Sequence, residues 1–410
     1  MADHDADPFD RARERFNAGL AALQAGDAAQ AEQALRQSLA LLPGRPSTQL
    51  NLAVALLRQD RAAEALPLLD AVLADAPDDV DALGHRGAAL NRLQQPEQAA
   101  PVFQRLVQLA PQRPEAWFHL AQTLQMLGHA EPALAAYERC LALRPDHAAA
   151  CSQRGTALRE LGRVDEAAAA FERALALGDD DGGLNAYYLA ALRGGAAPPR
   201  SPPAYVQGLF DDYAGDFERH LVDELDYHAP AALQRALLGL GRSDFAEGLD
   251  LGCGTGLCAP LLRPLAGRLQ GVDLSAAMLR AAAARGLYDE LHQADVVQHL
   301  QALAAAGRQA DLLVAADVLI YLGDLAPLFA AAARVLAPGG VLAFSVEIAA
   351  PEQPFVLQPS LRYAHGEAAL RRLAAAHGLQ PRHEERGLLR VEQAQPVVGQ
   401  YWVLQRGAPA

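Results

Sequence analysis

Small and bulky apolar positions return along the first half of the chain with a period of 34 residues. Ala31, Ala65, Ala99, Ala133 and Ala167 keep the period through five copies. A small residue recurs upstream at Gly19, Ala53, Gly87, Ala121 and Gly155, and a bulky one at Leu35, Leu69, Phe103, Tyr137 and Phe171. Pro43, Pro77, Pro111 and Pro145 punctuate the copies in the same register. Alanine-rich text favours helix and proline stops one, so the pattern predicts a stack of helical units. Past Ala204 the period is gone. Short β-branched runs now alternate with helical stretches, the pattern of a parallel sheet covered by helices. Arg193–Ala204, rich in Gly and Pro, reads as the connector between the two regions.

The registered positions resemble the tetratricopeptide (TPR) repeat over about residues 12–192. The resemblance implies two antiparallel helices per repeat. The small residue and the alanine lie where they cross, the bulky residue fills the gap to the next repeat, and Gly26, Gly128 and Gly162 fall in the turn between the helices. Asn185–Leu192 reads as the capping helix such stacks need, giving an expected first domain of residues 1–192, a linker of 193–204 and a second domain of 205–410. First helices line the concave face of a TPR stack, which here presents Asn91, Arg92, Phe118, His119, Gln122, Gln125, Ser152, Thr156 and Arg159. A groove of amides and aromatics suits a peptide or protein partner. Ordinary solvated positions, or contacts with another copy or the second domain, are the alternatives.

In the second domain, Phe245–Leu251 reads as a buried strand running into Gly252-Cys253-Gly254-Thr255-Gly256 and then a helix from about Leu257. Glycines let the backbone approach a ligand closely, and a helix N-terminus favours an anionic group. A second strand, Arg268–Asp273, ends on an acid 21 positions after Gly252, and a carboxylate there can accept both hydroxyls of a ribose. Further strands are expected at Glu290–Asp295, Asp311–Ala316, Val341–Glu347, Val391–Val398 and Gln400–Leu404.

Gly-x-Gly-x-Gly after Asp250, the acids Asp273 and Asp295, the segment Asp317–Leu322 and Pro338-Gly339-Gly340 stand in the order of class I S-adenosylmethionine (SAM) dependent methyltransferases. The chain resembles bacterial methyltransferases that carry N-terminal TPR repeats. The resemblance implies an all-α TPR superhelix followed by a Rossmann-like α/β domain with a seven-stranded, mostly parallel sheet. It also implies SAM as methyl donor, with S-adenosylhomocysteine as product, held by Asp250, Gly252, Cys253, Gly254, Gly256, Asp273, Leu274, Met278, Asp295, Val296 and Asp317. In Leu209–Leu221, Tyr213, Phe217 and His220 share a helix face. Tyr213 and Phe217 could form a lid over the donor, and the alternative is packing onto the sheet. Methyl transfer from a sulfonium is a displacement that needs alignment more than catalysis by the protein. An oxygen acceptor would want a base, for which His365, Glu347, Asp317 and Tyr321 are candidates, with helix capping the commoner fate of a histidine such as His365.

Composition narrows the classes. No lysine occurs, so all 35 basic residues are arginine and chemistry requiring an ε-amine is excluded. The net charge of −14, shared evenly between the halves, argues against nucleic acid as a partner. The four cysteines show no zinc spacing, and no metal site is expected. An acidic start and the lack of a long apolar run predict a cytoplasmic protein without membrane contact. A TPR adaptor with a weakly active methyltransferase fold is the alternative function.

Overall fold

The computed structural model describes residues 7–213, 227–392 and 395–407 and divides into two compact units, Met1–Asp179 and Asp180–Ala410. The first unit is five helix pairs: Pro8–Gln24 with Ala28–Leu41, Pro46–Leu57 with Ala62–Asp75, Val80–Arg92 with Pro96–Leu109, Pro114–Met126 with Ala130–Leu143, and Ala148–Glu160 with Val164–Ala176. Each of the first four second helices ends two residues before one of the periodic prolines. The turn inside each pair needs a left-handed residue, and the periodic position supplies it as Gly26, Asp60, Gln94, Gly128 and Gly162, all with φ between 56° and 83°.

The bulky periodic residue seats on the small residue of its own repeat, and Phe103 also stacks on His119 of the next repeat, ring centroids 5.6 Å apart. A Cβ added to Gly19, Gly87 or Gly155 would lie 2.5–2.6 Å from Leu35, Phe103 or Phe171 respectively. Gly84, in the same helix as Gly87, has open space, its added Cβ coming no nearer than 3.7 Å to Leu106. Gly84→Ala should therefore stabilise the protein by up to about 1 kcal/mol through helix propensity. Gly87→Ala should destabilise it by about 1–2 kcal/mol, because overpacking against the buried Phe103 ring outweighs the same gain. Urea denaturation of the two variants side by side checks the opposite signs.

The second unit is built on strands β1 (Phe245–Leu251), β2 (Ala266–Asp273), β3 (Glu290–Gln293), β4 (Ala310–Ala315), β5 (Leu336–Ile348), β6 (Phe355–Leu357), β7 (Tyr363–His365), β8 (Leu379–Glu392) and β9 (Gln395–Arg406). β3, β2, β1, β4 and β5 are neighbours in that order and all parallel; β9 runs antiparallel along β5, and β8 antiparallel along β9. These seven strands form the expected mostly parallel α/β sheet. The short β6–β7 pair extends it, β7 lying parallel to the end of β5 on the edge that β4 leaves open. Alternate residues feed two apolar layers: Leu313, Ala315, Leu342 and Phe344 on one face, Leu312, Val314, Val341 and Ala343 on the other.

Three local expectations are corrected. The helix after the glycine loop is a single turn, Ala259–Leu262. The region expected as one strand, 391–398, holds the end of β8 and the start of β9. The helix Leu184–Arg193 and the expected linker belong to the second unit. Tyr187 donates a buried hydroxyl bond to the Leu361 carbonyl and pairs with Ser201 Oγ at 2.8 Å. Among the described residues no helix is long and apolar enough to cross a membrane.

Candidate active site

An open parallel sheet offers a ligand the crevice beyond its carboxyl ends, where the strand order reverses, here between β1 and β4. A cavity of about 320 Å³ occupies that place. Its floor is the loop after β1. The amides of Gly252 and Cys253 both donate to the Val272 carbonyl, at 2.7 and 3.0 Å, which folds the loop over the end of β2. Gly252 has φ 68°, and a Cβ there would lie 2.3 Å from Val318, so only glycine lets the loop pass.

Asp273 ends β2 facing this cavity, 9% exposed. Gly254 N–H donates to its Oδ2 and Ser275 N–H to its Oδ1, each at 2.9 Å. Burial raises its pKa above the usual aspartate value, against the pull of those amides. Each oxygen keeps a further lone pair for a ligand donor. Asp295 caps the helix Val296–Ala305, its Oδ1 accepting from Val297 and Gln298 N–H at 3.0 Å, while its Oδ2 accepts from Arg200.

At the other end of the cavity lies Asp317, in the left-handed region at φ 55°. Its N–H donates to Ser345 Oγ at 2.8 Å and its Oδ2 accepts from Arg390 at 3.0 Å. Arg390, 2% exposed, also donates to Glu347 and, at 2.7 Å, to Glu392, which accepts a second bond from Arg362. Two guanidinium groups thus hold three carboxylates, with Arg390 and Arg362 both on the cavity wall.

Residues 249–344 match the family model described as methyltransferase domain. The second unit carries a methyltransferase domain. Residues 22–86 match a tetratricopeptide repeat model, and residues 91–174 match that of anaphase-promoting complex, cyclosome, subunit 3. A malonyl-[acyl-carrier protein] O-methyltransferase of Serratia marcescens is 36% identical over 29% of this chain and 47% of its own length. A trans-aconitate 2-methyltransferase of Pseudomonas aeruginosa is 36% identical over 35% of this chain and 45% of its own. The chain spans about half the length of these relatives. Among solved structures, MamA from Desulfovibrio magneticus RS-1 is similar at 22% identity and a TM-score of 0.39, covering 41% of this chain and 96% of that one.

Within the methyltransferase domain, Gly252, Cys253, Gly254, Asp273, Leu274, Asp295, Val296, Asp317 and Tyr321 are brought together around the cavity. Asp250 lies outside its lining, where Tyr288 donates to Oδ2 at 2.6 Å, Oδ1 has no partner and burial lifts its pKa to about 7. Gly256 and Met278 are also outside the lining, Met278 being fully buried. The side chain of Tyr213, and Phe217 and His220 entirely, fall outside the described residues.

Two candidate bases do not reach the cavity. Glu347, 4% exposed, is bound to Arg390. His365 is buried, and its Nε2 donates to the carbonyls of Leu322 and Gly323 at 2.9 and 3.2 Å. Burial lowers its pKa to about 4, so it is neutral and inert at physiological pH. Tyr321 does face the cavity, but burial pushes its hydroxyl up to about 12. Arg200, Arg362 and Arg390 are charged cavity residues that sequence reasoning missed. Arg200 sits in Gly/Pro-rich text, and Arg390 in a strand whose exposed, charged face breaks the apolar alternation.

In the first unit, the groove candidates are largely committed to contacts within it. Asn91 donates to Thr123 Oγ1 at 2.8 Å, Arg92 caps the carbonyl of Leu57, and Gln122 meets His119 Nδ1 at 3.0 Å. Phe118 packs 4.8 Å from the His147 ring, and Gln125 links Tyr137 to Glu160. Arg159 is half-buried near the end of its helix.

Proposed function

We propose that this protein transfers a methyl group from S-adenosylmethionine to an acceptor, and that its repeats hold a protein partner or a protein-borne substrate. The observation that carries the reading is Asp273, buried at the end of β2 with both oxygens fixed by backbone amides, beside a loop that admits only glycine at 252. That pairing suits a nucleoside with free ribose hydroxyls, and Asp295 with Val296 closes the same cavity on the side where a base would lie.

When bound, SAM supplies an electrophilic methyl group and a neutral thioether leaving group. The chain's own part is to align and to exclude water. Asp273 would hold hydroxyls, and Val206, Leu209 and Phe210 add apolar wall. Of the candidate bases only Asp317 and Tyr321 face the cavity. Asp317 has its Oδ2 engaged by Arg390 and its Oδ1 by Ser345, and Tyr321 is neutral. The chemistry therefore favours an acceptor that is already nucleophilic. The relatives' named acceptors, a malonyl-acyl carrier protein and trans-aconitate, differ too much in form for either to be carried over. The intact glycine loop and Asp273 favour an enzyme over a scaffold.

S-adenosylhomocysteine at a hundred times its Kd should raise the melting temperature by about 5–10 °C. No shift with millimolar SAM or S-adenosylhomocysteine sinks the reading. Transfer of radiolabelled methyl in a cell lysate would then reveal the acceptor.

A further inference from the structure

We infer that Pro198–Ser201, which sequence marks as a connector, is a built wall of the donor cavity, and that Arg200 within it is a positioning residue that sets Asp295 to receive the 6-amino group of adenine. The inference rests on the donor reading above.

The segment is tied down along its length. Tyr363 donates its hydroxyl to the Pro198 carbonyl at 2.8 Å. The Pro199 carbonyl accepts from Gly323 and Asp324 N–H at 2.9 and 2.7 Å. Arg200 pairs with Leu322 as an isolated antiparallel bridge, and Ser201 N–H donates to the Tyr321 carbonyl at 2.9 Å. Ser201 Oγ reaches the buried Tyr187 hydroxyl. A connector that only joined domains would leave its backbone groups to water. This one gives them to the segment after β4, with two prolines limiting its freedom.

Two of its side chains, Arg200 and Ser201, line the cavity. Arg200 crosses to Asp295, which is 7% exposed at the far side of the sheet's switch point. Three donors then hold the Asp295 carboxylate: two helix amides on Oδ1 and the guanidinium on Oδ2. An ionised carboxylate can accept about four hydrogen bonds, so this set fixes its plane and leaves one acceptor direction open. A carboxylate paired in this way has acceptor atoms only. An acceptor-only group discriminates by what it meets. An exocyclic amino group donates to it, whereas the 6-oxo group of inosine presents a lone pair and is repelled. Asp295 lies outside the strand that carries Asp273, so without Arg200 its carboxylate would be oriented by the helix amides alone.

The test uses the full chain and measures the Kd of S-adenosylhomocysteine and of S-inosylhomocysteine by titration calorimetry, with thermal melting as the control for folding. The wild type should prefer the adenosyl ligand at least about tenfold. Arg200→Ala should weaken that ligand about tenfold while changing the inosyl ligand less than about twofold, so that the preference collapses. Arg200→Lys, which keeps the charge but not the fork, should fall between them. It also keeps the test alive if the alanine variant fails to fold. Equal losses for both ligands would make the segment a structural wall only and overturn the role of Arg200, as would an unchanged preference in either variant. A wild type that binds the adenosyl ligand without preferring it sinks the inference alone. A wild type that binds neither ligand sinks the donor reading, and the inference with it.

Discussion

Asp273→Ala is expected to weaken S-adenosylhomocysteine binding by about 10²–10⁴-fold, because two charge-assisted hydrogen bonds to ribose hydroxyls contribute about 1.5–3 kcal/mol each. The carboxylate is suited to that work by where it is held. β2 delivers it to the carboxyl edge of the sheet opposite Gln293 of β3, and it is 9% exposed. The Gly254 and Ser275 amides fix both oxygens, so it pays no reorganisation cost when a ligand arrives. Asp273→Asn would turn an amide N–H toward one of those backbone donors and should lose nearly as much.

The pH dependence has a definite sign. Burial raises the pKa of Asp273, so its anionic form is lost at a higher pH than for an exposed aspartate. Wild-type affinity should decline as pH falls from 7 to 4, toward the ordinary aspartate range, and this slope should vanish in Asp273→Ala. Titration calorimetry of both proteins at the two pH values checks it; a variant that binds as tightly as the wild type and keeps the same pH slope would remove Asp273 from the site.

How far the sequence reveals this site depends on how local each part is. The glycine loop and Asp273 belong to one strand–turn–strand unit, and adjacent text specifies them. The repeats are legible for the same reason, since each helix pair packs largely on itself and its neighbours. The Asp317 end is different. Its partners Arg390 and Glu392 come from β8, more than 70 residues on, and Arg362 from the turn before β7. β8 is an edge strand paired only to β9 in the sheet, with charged residues on its open side, so no apolar alternation announced it. Residue type alone makes Glu347 and His365 candidates, but strand register sets where they point. β5 carries Glu347 toward Arg390, and β7 carries His365 toward the carbonyls of Leu322 and Gly323. The connector misled in the opposite direction. Gly and Pro signal irregular backbone, and Pro198–Ser201 is irregular, yet irregular backbone whose polar groups find partners can be as fixed as a strand.

Arg390→Met should cost about 3–5 kcal/mol of stability at neutral pH, since removing one partner of a buried ion pair leaves its counter-charges uncompensated. Three carboxylates, Asp317, Glu347 and Glu392, share this guanidinium, and only Glu392 has a second one, from Arg362. Burial pushes the pKa of Glu392 up, but its bond from Arg390 and the charges of Arg362 and Arg390 overcome this and hold it below the usual glutamate value. In the wild type that contribution is present above the ordinary glutamate range and is lost as pH falls through the depressed pKa. In the variant Glu392 loses that bond and the Arg390 charge, so the contribution of its depressed pKa is largely gone. The destabilisation should therefore be largest near pH 8 and smaller at pH 3, below the ordinary glutamate range. Urea denaturation of both proteins at these two pH values measures it. A loss that stays the same at both would mean that the side chain acts by filling space, and that its charge holds nothing together.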